Sequence, residues 1–270
     1  MAEAAKALNT ADETVLYKED GAFAVITLNR PEKINSFNEM MHKALHVALD
    51  RAAANKKVRA LILTGAGRGF CAGQDLSDRL AAPGSLDLSK TIAEFYNPLV
   101  RKLRTFPVPT IAAVNGTAAG AGANFALLAD IVIAARSAKF IQSFSKIGLI
   151  PDTAGTWALP RLVGRGKAFA LAALAESVDA ETAEGLGLIW KAVDDDQLMT
   201  AAKEIATKLS SVPTLGLLRL REAFDASETN DLDAQLAIES KFQSELGRTN
   251  DYAEGVRAFM EKRAPAYSER

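Results

Sequence analysis

One cysteine in 270 residues, Cys71, leaves no partner for an internal disulfide and fits a reducing compartment. Histidine is almost as scarce, with only His42 and His46 present. They stand four apart on an expected helix, a spacing that permits metal binding. The intervening Lys43-Ala-Leu45 lacks the glutamate of the zinc-protease motif, however, and no third ligand is evident. Surface or boundary histidines are expected, and no metal. An excess of either charge is also missing: the net charge of −1 gives no overall field to draw in nucleic acid. No stretch approaches the roughly 20 consecutive apolar residues of a membrane span. The first twenty residues hold Glu3, Asp12, Glu13, Glu19 and Asp20 but no arginine, which argues against a secretory or transit leader. These absences point to a soluble cytoplasmic protein that engages neither nucleic acid nor a membrane.

What is present is ordinary in bulk. A composition of 49 % hydrophobic and 24 % charged residues suits a globular chain long enough for a large core. After a loose tail at 1–12, Val15–Glu19 and Ala22–Leu28 flank Asp20-Gly21, a hairpin signal. Asn38 can cap a helix carrying Met41, Leu45, Ala48, Leu49 and Ala52 on one face. Strands are expected at Ala60–Thr64, Thr110–Val114, Ile131–Ala135, Lys139–Ile141 and Ile189–Val193. Residues 78–88, with Pro83-Gly84, read as a mobile loop, followed by a helix over 88–103 that Pro107 and Pro109 end. Asp179 can cap a short helix, and amphipathic helices are expected near 197–210, 214–227, 231–247 and 250–262. The pattern gives an α/β core over 13–196 and a helical C-terminal section over 197–270.

Two glycine-rich turns dominate this frame, Arg68-Gly-Phe-Cys-Ala-Gly-Gln-Asp75 and Asn115-Gly-Thr-Ala-Ala-Gly-Ala-Gly-Ala-Asn124. Each comes after an apolar strand. Such turns leave main-chain N–H groups unpaired and admit a ligand closely. Brought together, two of them could grip one developing oxyanion between two amide donors. Gly120-Ala-Gly122 also suggests a dinucleotide loop, but Phe125 stands where that fingerprint needs its third glycine. Cys71 lies beside this expected anion hole, yet no histidine is placed to activate it, so a packed thiol is expected.

The two turns, with Asn29-Arg-Pro31 upstream and Gly148-Leu-Ile-Pro-Asp152 downstream, resemble the enoyl-CoA hydratase/isomerase (crotonase) superfamily from about Val15 to Tyr267. Within it the chain is similar to the ring-1,2-epoxyphenylacetyl-CoA isomerases of aerobic phenylacetate breakdown. That likeness is carried by Phe95-Tyr-Asn-Pro-Leu-Val-Arg101, Asp130-Ile-Val-Ile-Ala-Ala-Arg-Ser-Ala-Lys-Phe140 and Ser145-Lys-Ile-Gly-Leu-Ile-Pro-Asp152, besides the first turn. The resemblance implies a crotonase-like spiral of β-β-α repeats, a helical C-terminal section that covers the site and joins subunits, and homotrimers or dimers of trimers. It also implies an acyl-CoA substrate and no separate cofactor, coenzyme A being part of that substrate. By position, the thioester oxygen would sit between the N–H groups of Gln74 and Ala121. Lys33, Ile34, Ala72, Asp75, Leu76 and Ser77 fall where relatives contact coenzyme A, and Phe259 and Lys262 could complete that site.

Related hydratases place glutamates where this chain has Asn124 and Phe144. Asparagine cannot act as a carboxylate base and phenylalanine transfers no proton, so ordinary hydration fits poorly. Asn124 would hydrogen-bond helix ends or substrate, and Phe144 would form an apolar wall. Asp152, preceded by Ile147, Leu149, Ile150 and Pro151, remains as the acidic candidate; taken alone, it would more simply be a turn residue or helix cap. In an apolar pocket its pKa would rise toward useful base strength. One base shuttling one proton suits isomerisation, here of an epoxide to a ring-expanded oxepin. An enoyl-CoA hydratase, a Δ3,Δ2-enoyl-CoA isomerase of fatty-acid breakdown and a non-catalytic acyl-CoA-binding subunit are the alternatives.

Overall fold

The Asp20-Gly21 turn joins β1 (Val15–Asp20) to β2 (Phe23–Leu28) as an antiparallel hairpin, in line with the sequence. The computed structural model describes residues 14–77 and 87–268, so the expected tail at 1–12 and residues 78–86 of the expected loop lie outside the described residues. A 3₁₀ turn at Pro31–Lys33 leads to α1 (Glu39–Ala54), where Asn38 accepts a hydrogen bond from the Met41 amide at 2.9 Å. The expected apolar face of α1 is buried, and His42 is buried with it.

β3 (Ala60–Gly65) and β4 (Gly69–Cys71) come next. The helical rod after them has three parts: α2 (Leu88–Thr91), a wider π turn (Ile92–Tyr96) and α3 (Asn97–Arg104). Pro98 has no N–H to return to the carbonyl four residues back, and the wide turn ahead of it accommodates the ring. The chain continues through β5 (Thr110–Val114), β6 (Thr117–Ala119), α4 (Ala121–Leu127), β7 (Ile131–Ala135) and β8 (Lys139–Ile141). After a 3₁₀ turn at Ser143–Ile147 come α5 (Gly155–Val163), α6 (Arg165–Leu174), β9 (Ser177–Asp179), α7 (Ala180–Leu186) and β10 (Lys191–Val193). Asp179 caps α7, accepting from the Thr182 amide at 2.7 Å. Four helices finish the chain: α8 (Leu198–Ser210), α9 (Thr214–Ser227), α10 (Leu232–Leu246) and α11 (Asn250–Glu261).

The strands form two sheets, one in the order β1-β2-β3-β5-β7-β10 and one in the order β4-β6-β8-β9. Apart from the β1–β2 and β8–β9 pairs, every pairing is parallel. Each of β3, β5 and β7 is succeeded at once by a short strand of the second sheet, β4, β6 and β8, and then by helix. This is the β-β-α spiral. β3 and β5 are buried along almost their whole length, which is why they read as unbroken apolar runs. The three-residue strands β4, β6 and β9 lie outside the expected set, whereas β8, equally short, falls at the expected Lys139–Ile141.

α8 lays Leu198, Ala202 and Ala206 against the larger sheet, packing on β3, β5 and β7. α9 is tied to the core by Arg221. Its guanidinium donates to the carbonyls of Phe106 (2.7 Å) and Val108 (3.0 Å) and to both carboxylate oxygens of Asp130 (2.6 and 2.7 Å). Asp130 in turn accepts from the amide and hydroxyl of Thr110, at 2.7 and 2.8 Å, at the start of β5.

Candidate functional site

Parallel pairing of β4 with β6 sets Gly69 opposite Thr117 and Cys71 opposite Ala118, which brings the two glycine turns side by side. Gly73 takes φ of +88°, and a Cβ on it would lie 2.9 Å from the Ala119 carbonyl oxygen and 3.3 Å from the Ala121 nitrogen. A Cβ on Gly122 would fall 2.2 Å from the Cys71 carbonyl oxygen. Glycine at these two places is the condition for the close approach.

The amide directions are set by the hydrogen bonds around them. Phe37 pairs with Gln74 as an isolated parallel bridge: the Phe37 N–H donates to the Gly73 carbonyl at 2.7 Å, and the Asp75 N–H donates to the Phe37 carbonyl at 2.8 Å. In a trans peptide the C=O and the N–H point opposite ways. Anchoring the Gly73 carbonyl on Phe37 therefore turns the Gln74 N–H away from it. Ala121 opens α4, where the first N–H groups have no partner within the helix. Neither the Gln74 N–H nor the Ala121 N–H meets an acceptor among the described residues.

Asp152 stands beside the first turn of α4. Its main-chain oxygen accepts from Asn124 Nδ2 at 2.8 Å and from the Gly155 N–H at 2.8 Å. Asn124 is buried, and its Oδ1 accepts from Gln142 Nε2 at 2.8 Å, so both of its polar ends meet protein partners. The Asp152 carboxylate accepts from the Thr153 hydroxyl at 2.9 Å and caps nothing, since α5 begins without a side-chain cap. Burial pushes the Asp152 carboxyl above its ordinary value, with the Thr153 hydroxyl pulling the other way. Thr153 and Ala154, next along the chain, have φ of +50° and +60°. A β-branched residue in the left-handed region is strained, and strain of this kind gathers at working sites. Phe144, buried in the turn after β8, lies against the second glycine turn, its Cζ 3.8 Å from where a Cβ on Gly120 would be.

The residues expected near coenzyme A come together along one edge. The Ala72 N–H donates to the Ile34 carbonyl at 2.9 Å, joining the segment after β2 to the first glycine turn. Asp75 accepts from Arg30 Nη2 at 2.9 Å and from the Ser77 amide at 3.1 Å, and it also takes the Ser77 hydroxyl. The Ser77 and Arg30 hydrogen bonds hold its carboxyl down to about 2. Lys33, Leu76 and Ser77 are exposed beside this edge. Phe259 is exposed on α11 and Lys262 is exposed at its C-cap.

His42 departs from expectation. It is only 1 % exposed, stacked on Phe37 at 4.9 Å and edge-on to Tyr96 at 4.5 Å, and neither ring nitrogen has a hydrogen-bond partner. The aromatic rings that enclose it come from outside its own helix, so helical spacing alone could not show this. Burial lowers its pKa to about 4. Cys71 is the packed thiol the sequence suggests, with burial pushing it up to about 12. A cavity of about 390 Å³ opens between α5 and α9, lined by Trp157, Leu162, Leu217, Leu220 and Phe224 among others, but by none of the expected site residues. Three participants escaped the sequence reading: Arg30, Gln142 and Tyr96, whose hydroxyl donates to Gln74 Oε1 at 2.8 Å. For Arg30 a signal existed in Asn29-Arg-Pro31. For Tyr96 the segment Phe95–Arg101 was such a signal, but its contact with Gln74, set by the π turn, was not readable from it.

Comparison with known proteins agrees with this architecture. The sequence pattern of the family described as enoyl-CoA hydratase/isomerase matches residues 18–270, and the chain belongs to that family. It is 50 % identical over 258 residues to the 1,2-epoxyphenylacetyl-CoA isomerase of Escherichia coli K12, covering 95 % of this chain and 98 % of that one. It is 47 % identical over 257 residues to a Rhodobacter capsulatus protein named "Probable enoyl-CoA hydratase", covering 95 % and 98 %. Among solved structures, the enoyl-CoA hydratase of Bacillus anthracis matches with a TM-score of 0.90 at 31 % identity, covering 95 % of this chain and all of that one.

Proposed function

We propose that this chain is an acyl-CoA thioester isomerase that converts ring-1,2-epoxyphenylacetyl-CoA to the oxepin thioester in phenylacetate degradation. Two similar relatives carry the names of different reactions, so the site has to decide between them. The observation that supports isomerisation is Asp152, held by its main chain beside α4 with its carboxyl raised by burial; by resemblance, Asn124 and Phe144 stand where hydratases carry glutamates. Adding water across a double bond calls for groups that orient the water and move its proton. Epoxide and oxepin are isomers, so their interconversion consumes no water.

In this reading the thioester oxygen accepts from the N–H groups of Gln74 and Ala121, which find no acceptor elsewhere among the described residues. The carbon–carbon bond shared by the epoxide and the six-membered ring breaks, its electron pair shifting into the ring double bonds while both C–O bonds are kept. Asp152 takes a proton from the acyl chain, leaving a dienolate whose negative oxygen those two donors stabilise. The same carboxyl returns the proton at another carbon, so base and atoms are restored together. Each oxyanion donor contributes about 3–4 kcal/mol to such a transition state. Lys33, Ile34, Ala72, Asp75, Leu76 and Ser77 border the coenzyme A moiety. Phe144 walls the acyl pocket, and Phe259 and Lys262, exposed at the end of α11, complete the coenzyme A site.

The exposed Phe169, Leu174 and Trp190 support assembly into a homotrimer or a dimer of trimers. Among the described residues no helix is long and apolar enough to cross a membrane; we read the protein as cytoplasmic. The decisive assay incubates the purified protein with 1,2-epoxyphenylacetyl-CoA and, separately, with crotonyl-CoA, and identifies products by mass. Oxepin thioester without crotonyl hydration is expected. Strong hydration of crotonyl-CoA would refute the lone-carboxylate reading. Tight thioester binding with neither turnover nor proton exchange in deuterated water would make the chain a silent acyl-CoA binder.

A further inference from the structure

The peptide between Gly73 and Gln74 has little intrinsic stiffness. It comes after a glycine, and the Phe37–Gln74 bridge is isolated, with no ladder on either side. The hydrogen bonds nevertheless close a ring. Tyr96 donates through its hydroxyl to Gln74 Oε1 at 2.8 Å. Gln74 Nε2 donates to the Phe37 carbonyl at 3.0 Å and to the Asp75 carbonyl at 3.2 Å. Phe37 then donates its own N–H to the Gly73 carbonyl at 2.7 Å, the other end of the peptide that bears the Gln74 N–H.

Tyr96 itself cannot turn freely. It is 2 % exposed, has His42 at 4.5 Å and Phe37 at 5.8 Å, both edge-on, and closes the π turn Ile92–Tyr96. One residue added to a helical turn rotates the side chains beyond it about the axis, and such turns are frequent at functional sites.

We propose that Tyr96 is a positioning residue for the oxyanion donor: by gripping the Gln74 side chain it holds the Gln74 N–H in the direction that meets the thioester oxygen. The proposal rests on reading the Gln74 N–H as such a donor. It differs from a core-filling role for Tyr96 in one respect, that the hydroxyl rather than the ring is what matters.

Tyr96→Phe deletes that oxygen and keeps the ring. The probe is a cinnamoyl-CoA thioester bearing a para-dimethylamino group, whose absorption moves to longer wavelength when its carbonyl is polarised. The wild type should bind it with a red shift. Tyr96→Phe should bind within about threefold, show a smaller red shift and lose about tenfold in kcat with little change in KM, the scale of one ordinary hydrogen bond. Gln74→Ala keeps the main-chain N–H while removing the group Tyr96 grips, so it should behave alike, and the double variant should be no worse than either single one. If Tyr96→Phe does not fold, Gln74→Ala alone carries the test. A wild-type red shift and kcat in the folded variants would overturn the positioning role and leave the oxyanion reading standing. A probe that binds the wild type without any red shift would overturn both.

Discussion

Asn124 donates from Nδ2 to the main-chain oxygen of Asp152 at 2.8 Å, and its Oδ1 is already taken by Gln142. The bond requires an amide. A carboxylate at this position would face the Asp152 carbonyl with no hydrogen to share, so the amide of Asn124 secures the main chain that carries the Asp152 carboxylate. Asn124→Asp, equal in shape, should lower kcat by about tenfold, the scale of one lost hydrogen bond, since the Gly155 N–H still meets the Asp152 carbonyl. Asn124→Glu should gain no crotonyl-CoA hydration, which a spectrophotometric assay would settle.

Asp152→Asn should cut isomerase turnover by orders of magnitude while CoA thioesters still bind, as turnover and calorimetric titration would show. Because burial raises the Asp152 pKa, the acid limb of kcat should lie at higher pH than an unperturbed aspartate would place it. The same burial penalises the ionised form of the native state. That penalty is full above the raised pKa and vanishes below 3.8, so Asp152→Asn should melt higher than wild type at pH 7, the gap closing as pH falls.

Gly73→Ala tests the convergence of the two turns. The new Cβ would press within 2.9 Å of the Ala119 oxygen and 3.3 Å of the Ala121 nitrogen at a φ of +88°. Displacing one donor should reduce kcat by about 100-fold or more, and the strained backbone should cost about 1–3 kcal/mol of stability. Steady-state kinetics and urea unfolding would read the two effects separately.

His42 predicts a pH dependence of folding. The unfolded chain protonates this ring near 6.5, the native state only near 4, so between those values the unfolded state binds more protons. The stability it confers is whole above pH 6.5 and is lost as pH falls toward 4, amounting to about 3 kcal/mol. Since neither ring nitrogen has a partner, His42→Phe preserves the stacking. Urea unfolding across pH 7 to 4 should show a shallower decline in the variant; parallel declines would contradict the assignment.

Much of the fold was legible because local chemistry and tertiary structure agree. Asn38 caps α1, Asp179 caps α7, and the apolar runs at β3 and β5 are buried strands. The glycine turns announced themselves because close main-chain approach admits no Cβ. Contacts made across the chain were not legible. Tyr96 meets Gln74 only through a π turn that propensity does not reveal, and His42 is enclosed by rings from elsewhere. Asn124 was visible as a missing carboxylate but not as a donor to Asp152, because that depends on where the loop ahead of α5 comes to rest.

The Arg221–Asp130 ion pair ties more than α9 to the core. Asp130 spends its two oxygens both on that guanidinium and on Thr110, where β5 sets out toward the second glycine turn. The C-terminal arm and the strand that delivers Ala121 thus share a single carboxylate as their anchor. A displacement of α9, such as a neighbouring molecule settling against it would bring, therefore acts on the same carboxylate that holds the start of β5.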